Sequence, residues 1–176
     1  MLLAAALLLL AVQDVQDPLQ TPGAWRPAPV TLTSNAHTLD LATPAGPAVI
    51  ELDSLFMLDR VDTAWVLAAV PDRAGRRVSV LVSVYAWSRG PESAMGYCGS
   101  GQEAALIWLT VPLVTPPQVM LHASCFVTRE GELNANADSL WGTVNDYPKK
   151  LLYHFTYRIQ QADSGLRVSQ EPLPPP

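Results

Sequence analysis

Period-two alternation of apolar and polar residues constrains this chain most, because it suits a half-buried strand and cannot line one face of a helix. In Leu151–Gln160, Leu151, Tyr153, Phe155, Tyr157 and Ile159 fall on one side, with His154, Thr156, Arg158 and Gln160 on the other. In Val78–Ala86, Val78, Val80, Val82 and Val84 share a side opposite Ser79, Ser83 and Tyr85. The apolar stretch Val61–Val70, containing Trp65, precedes that run. Between them, Pro71-Asp72-Arg73-Ala74-Gly75-Arg76 has the composition of a hairpin loop, so the two runs are expected to pair antiparallel. Ala104–Val111 reads as a shorter strand stopped by Pro112. Val119–Arg129 reads as a strand with Val119, Leu121, Ala123, Cys125 and Val127 towards the core and His122, Ser124 and Thr128 outward. Asp163-Ser164-Gly165 is a turn, and Leu166–Gln170 returns as a last strand. Helix-period segments are scarce after residue 20. The expected fold is all-β, a small antiparallel β-sandwich or a partly open barrel of about six to nine strands.

The flanks do not follow this pattern. Leu2–Val12 is an unbroken apolar run of eleven residues, short of the roughly 20 that a membrane-spanning helix needs. It matches the apolar centre of a secretory signal and gives way at once to the polar stretch Gln13–Gln20. No basic residue precedes it, Arg26 being the first, and Leu9 stands two places before Ala11 where a cleavage site wants a small residue. A start upstream of Met1 would account for the missing basic flank. Residues 1–13 are therefore expected to be a signal segment and residues 14–29, with Pro18, Pro22, Pro27 and Pro29, a linker. Residues 30–170 form the β-rich domain, and residues 171–176 a Pro-rich solvated tail.

Export and cysteine usage support one another. Cys98 and Cys125 lie 27 positions apart and are the only two cysteines, and an even count in an exported chain favours a disulfide. Closing such a loop would contribute about 3–4 kcal/mol on the chain-entropy model. The expected location is periplasmic or extracellular, with no transmembrane span in the mature chain. A net charge of -5 without a basic block argues against nucleic acid as a main partner. The preference for Arg over Lys, with abundant Ala, Leu and Pro, favours a bacterial source.

Motifs for chemistry are fragmentary. Cys98-Gly99-Ser100 is a piece of the papain-type nucleophile motif, but Gly101 and Gln102 stand where that motif continues with Cys and an aromatic. Gly99-Ser100-Gly101 lacks the spacing of a nucleophile elbow. His37, His122 and His154 are far apart, and Asn134–Asp138 begins like a calcium loop before Ser139 and Asn145 break the pattern. Neither a cofactor nor a metal site is expected. Tyr85 and Trp87 share the side opposite the valines and form a candidate surface for a sugar, a peptide or a protein. Ser164-Gly165-Leu166-Arg167 is similar to the Ser-Gly-x-Arg start of a motif in periplasmic inhibitors of c-type lysozyme, which are small disulfide-bearing β-barrels. Val168 replaces the aromatic residue that follows in that motif, and the likeness covers four residues. It adds Ser164, Gly165 and Arg167 to the candidate binding residues.

The expectation is thus an exported, non-catalytic β-domain that binds a protein or a cell-envelope component. An inhibitor of a secreted hydrolase and a hydrolase with an unrecognised active site are the alternatives.

Overall fold

Alternation on a small scale builds the first layer. β1 (Thr31–Ser34), β2 (Thr38–Thr43) and β3 (Gly46–Glu51) form an antiparallel three-stranded sheet. It turns Leu39, Leu41, Ala48 and Ile50 inward and leaves Asp40, Ala42 and Val49 exposed. The computed structural model describes residues 28–55, 58–88, 101–125 and 127–174. Ala28, from the expected linker, is already buried and donates its N–H to the Ala69 carbonyl at 3.1 Å.

The remaining strands are β4 (Leu58–Pro71), β5 (Val78–Ser88), β6 (Gln102–Val111), β7 (Gln118–Ser124), β8 (Arg129–Ala135), β9 (Ser139–Asp146), β10 (Leu151–Arg158) and β11 (Arg167–Pro172). They make one antiparallel eight-stranded sheet in simple sequential order, left open because β4 and β11 stand at opposite edges. The expected β4–β5 hairpin is present, with Val66 opposite Val82 and Ala69 opposite Val80. Eleven strands among the described residues exceed the expected six to nine. The excess lies in β1–β3 and β8–β9, where each strand offers few apolar side chains.

This sheet folds back on itself. β7 and β8 share one ladder pair, Ser124 with Arg129, and beyond that corner β8–β11 turns across one face of β4–β7. The opposite face of β4–β7 is covered by β1–β3. Two cores result, on either side of a shared middle layer. One gathers Val80, Val82, Val84, Ile107 and Leu109 with Leu39, Leu41 and Ile50. The other gathers Leu67, Leu81, Leu106, Trp108 and Met120 with Leu140, Val144, Phe155 and Tyr157. Burial of each large side chain contributes about 1.5–3 kcal/mol. The Tyr153–Tyr157 side of β10 is therefore core, as its alternation implies.

Double coverage explains a correction on β7. Its most buried residues are Met120, His122 and Ser124, whereas Val119, Leu121 and Ala123 are only half-buried. The expected inward and outward sides are both inside the molecule, and a register shift opposite Ala104 and Ala105 makes room for His122. The strand also ends at Ser124 rather than running on to Arg129, so Cys125 sits in the corner turn, half-buried, with a free thiol. Cys98 lies outside the described residues, and no disulfide is present among those described. β11 reaches Pro172, two residues into the expected tail.

Glycine permits a close approach between the folded halves. A Cβ on Gly131 would lie 2.3 Å from the His122 carbonyl oxygen, so any side chain there would push β8 away from β7. A 3-10 segment, Ile159–Ser164, closes the lower end of the second core. Trp108 Nε1 donates to the Ala162 carbonyl at 2.9 Å, and Ser79 Oγ donates to Asp163 at 2.8 Å.

Candidate functional site

The folding-over of the sheet gives β8–β11 an outer face that no other layer covers. Ladder pairing sets its side chains in rows. Asn134, Trp141, Thr156 and Arg167 form one row, and Glu132, Thr143, His154 and Ser169 form the next. The inward partners on the same strands, Leu140, Val144, Phe155 and Tyr157, lock these positions by packing into the second core. At the centre stands Trp141, 38% exposed on an interior strand. Glu132, Asn134, Asn136, Ser139, Thr143, His154, Thr156 and Arg158 line an open groove around it. Asn136 also shapes its end: its Oδ1 accepts the backbone N–H groups of Asp138 and Ser139, both at 2.9 Å, which fixes a tight turn. That use accounts for the calcium-like spacing of Asn134–Asp138.

His154 lies within this face, and its Nε2 is 3.0 Å from the Glu171 carboxylate. Both groups are exposed. The platform supplies one flat apolar surface, the indole, edged by amides, hydroxyls and the His154–Glu171 contact. Such a set suits a ligand with a flat hydrophobic face and many hydrogen-bonding groups.

The residues singled out from the sequence lie elsewhere. Tyr85 is half-buried against Trp65, its ring stacked at 5.2 Å and 16°, with the His122 ring edge-on at 6.4 Å. Trp87 is half-buried beneath the Arg60 guanidinium, 6.0 Å from the ring centre. Gly165 and Leu166 are buried rather than displayed on a projecting loop. Leu166 donates its N–H to Gln118 Oε1 at 2.8 Å, and Gly165 takes a φ of +69° where a Cβ would meet that same Oε1. Ser164 and Arg167 remain exposed on either side. Thus the four-residue stretch is part of the closure of the second core, and Arg167 alone also joins the Trp141 row.

His122 is 5% exposed, and its Nε2 has no hydrogen-bond partner. Burial lowers its pKa to about 4, so it is neutral near pH 7. Among the described residues no group of three or more His, Cys, Asp or Glu could hold a metal ion, and no helix is long and apolar enough to cross a membrane.

Trp141 was within reach of the sequence. Leu140 and Val144 alternate with Trp141 and Thr143, the same period-two signal that marks β10. Comparison with protein-family models, with curated proteins and with solved structures finds no match.

Proposed function

We propose that this chain is an exported, non-catalytic binding domain whose recognition surface is the outer face of β8–β11, and that its ligand is a polyhydroxylated component of the cell envelope, a glycan. The observation that carries this reading is the exposed Trp141 on an interior strand at the centre of a polar four-strand face. An indole offers its face to the C–H side of a sugar ring, while Asn134, Thr143 and Thr156 can exchange hydrogen bonds with ring hydroxyls. The backbone groups of interior strands β9 and β10 are engaged in ladders, so the face presents side chains for binding rather than backbone N–H donors aimed at a developing oxyanion.

The test is titration of the purified protein with soluble cell-wall glycan fragments, followed by tryptophan fluorescence and calorimetry. Trp141→Ala should weaken binding at least tenfold, about 1.4 kcal/mol or more, with the cooperative fold retained because the side chain lies outside both cores. Equal affinity in both proteins would overturn the reading.

Export itself rests on the apolar run Leu2–Val12 and on the even cysteine count. Cys125 carries a free thiol here, so a Cys98–Cys125 bond is proposed only for the exported, oxidised protein. Mass spectrometry of the exported protein should show an N-terminus lost and a mass two hydrogens below that of the reduced chain. Retention of Met1 together with two thiols that alkylate without prior reduction would refute it.

A further inference from the structure

Beyond the glycan face, the structure points to a second surface where the β4–β5 and β6–β7 loops meet. We propose that residues 72–77 and 112–117 dock this protein onto an anionic lipid bilayer, with Arg73, Arg76 and Arg77 facing headgroup phosphates and Leu113 and Val114 entering the acyl boundary.

Charge is the first argument. The chain carries a net charge of -5, yet three of its eleven basic residues fall within Arg73–Arg77, and all three are exposed. Asp72, at the base of the loop, offsets one of these three charges and also holds the turn. Asp72 Oδ1 accepts the Arg76 N–H at 2.8 Å, and Asp163 accepts the Ser79 hydroxyl. Burial opposes ionisation of Asp72, but the backbone N–H groups of Arg76, Arg77 and Ala74 outweigh it and hold its carboxyl below the usual value. The cap therefore stays in place at neutral pH, and Gly75, with φ +67°, completes a turn that presents the arginines outward.

Apolar exposure is the second argument. Among the described residues, Leu113 and Val114 are the one adjacent pair of exposed large hydrophobic side chains, at 41% and 59%. Their loop meets the arginine loop directly, since Asp72, Arg76, Arg77, Pro112 and Val114 line one surface depression. Aliphatic side chains at a loop tip beside a basic cluster are the combination that favours an interfacial position, with apolar burial and attraction to anionic lipid acting together.

The experiment is flotation of the full chain with vesicles of phosphatidylcholine alone or with about one third phosphatidylglycerol, at low and high salt. The apolar run Leu2–Val12 is common to every variant, so differences between variants report the loops. The wild type should bind the anionic vesicles more tightly, and high salt should weaken that binding. Removing all three arginines (R73Q/R76Q/R77Q) should lower affinity roughly a hundredfold, at about fivefold per residue. L113S/V114S should lower it about tenfold, whereas Val49→Ser, an exposed aliphatic in β3, should leave it unchanged. Unaltered melting and unaltered glycan titration in each variant show that the fold and the Trp141 face are intact. Equal binding to both vesicle types, loop variants that bind like the wild type, or capture by heparin with none by vesicles would each overturn the proposal.

Discussion

Replacing Asp146 by Ala is expected to destabilise the domain by about 3–5 kcal/mol, the range for breaking a buried ion pair at one partner. Asp146 is 2% exposed at the end of β9. Its Oδ2 accepts from Arg129 Nη2 at 2.6 Å and Nε at 2.9 Å, and its Oδ1 accepts the Lys149 backbone N–H at 3.2 Å. The Arg129 guanidinium lies 5.7 Å from the centre of the Tyr153 ring, and its side chain is 18% exposed. Loss of the carboxylate leaves that cation facing an aromatic wall with no counter-charge. Arg129 is also the ladder partner of Ser124 at the corner where the sheet turns over, so the damage falls at the hinge between the two halves. The double variant R129M/D146L removes both charges together and should recover most of the loss. Urea unfolding of the three variants measures this. A cost below about 1 kcal/mol for Asp146→Ala would mean that solvent already screens the pair.

Acidification is expected to remove about 3 kcal/mol through His122 alone. Its pKa is about 4 in the folded protein and 6.5 in an unfolded chain, and each pKa unit is worth about 1.4 kcal/mol. The folded value is the lower one, so below pH 6.5 the unfolded state takes up a proton that the native state refuses. The stabilising contribution is complete above pH 6.5, declines as the pH falls, and is exhausted near pH 4. The groups around the ring explain the refusal: Tyr85 meets it edge-on, Trp65 backs Tyr85, and no carboxylate hydrogen-bonds Nε2. His122→Phe preserves the aromatic edge and cannot titrate. Denaturant unfolding at pH 7.5, 5.5 and 4.5 should give a shallower decline for that variant than for the wild type. Parallel profiles would show that His122 is protonated in the native state as easily as in the unfolded one.

Alternation carried much of this architecture. The β4–β5 hairpin, the inward valines of β5, the stop at Pro112 and the buried aromatic side of β10 were all legible because each is a long run with a strong period. β8 was not. Its sequence, Arg129-Glu130-Gly131-Glu132-Leu133-Asn134-Ala135, has little strand propensity and takes its conformation from pairing with β9 along its whole length. β2 and β3 each contribute two buried apolar side chains between Pro and Gly residues, too little signal to read alone. β7 was misjudged for a different reason. A period-two reading assumes one wet face, whereas this strand lies between two layers. The Trp141 platform was hidden likewise, because its polar rows exist only after β8, β9 and β10 are set in register. Tyr85 drew notice as an aromatic beside the valines, and its place in a stack with Trp65 depends on a contact between adjacent strands that the alternation within one strand does not reveal.

The shared middle layer has a consequence for how the molecule comes apart. Along β5, Val78, Val80, Val82, Val84 and Ala86 belong to one core while Leu81, between them, belongs to the other, so loss of order in one core disturbs a wall of the other. Their cooperativity is built into the parity of a single strand. A domain with a small accessory sheet on one flank and a folded-back sheet on the other would ordinarily be free to fray flank by flank. Here the flanks are tied through one backbone, and the most interior strand acts as the common keystone of both.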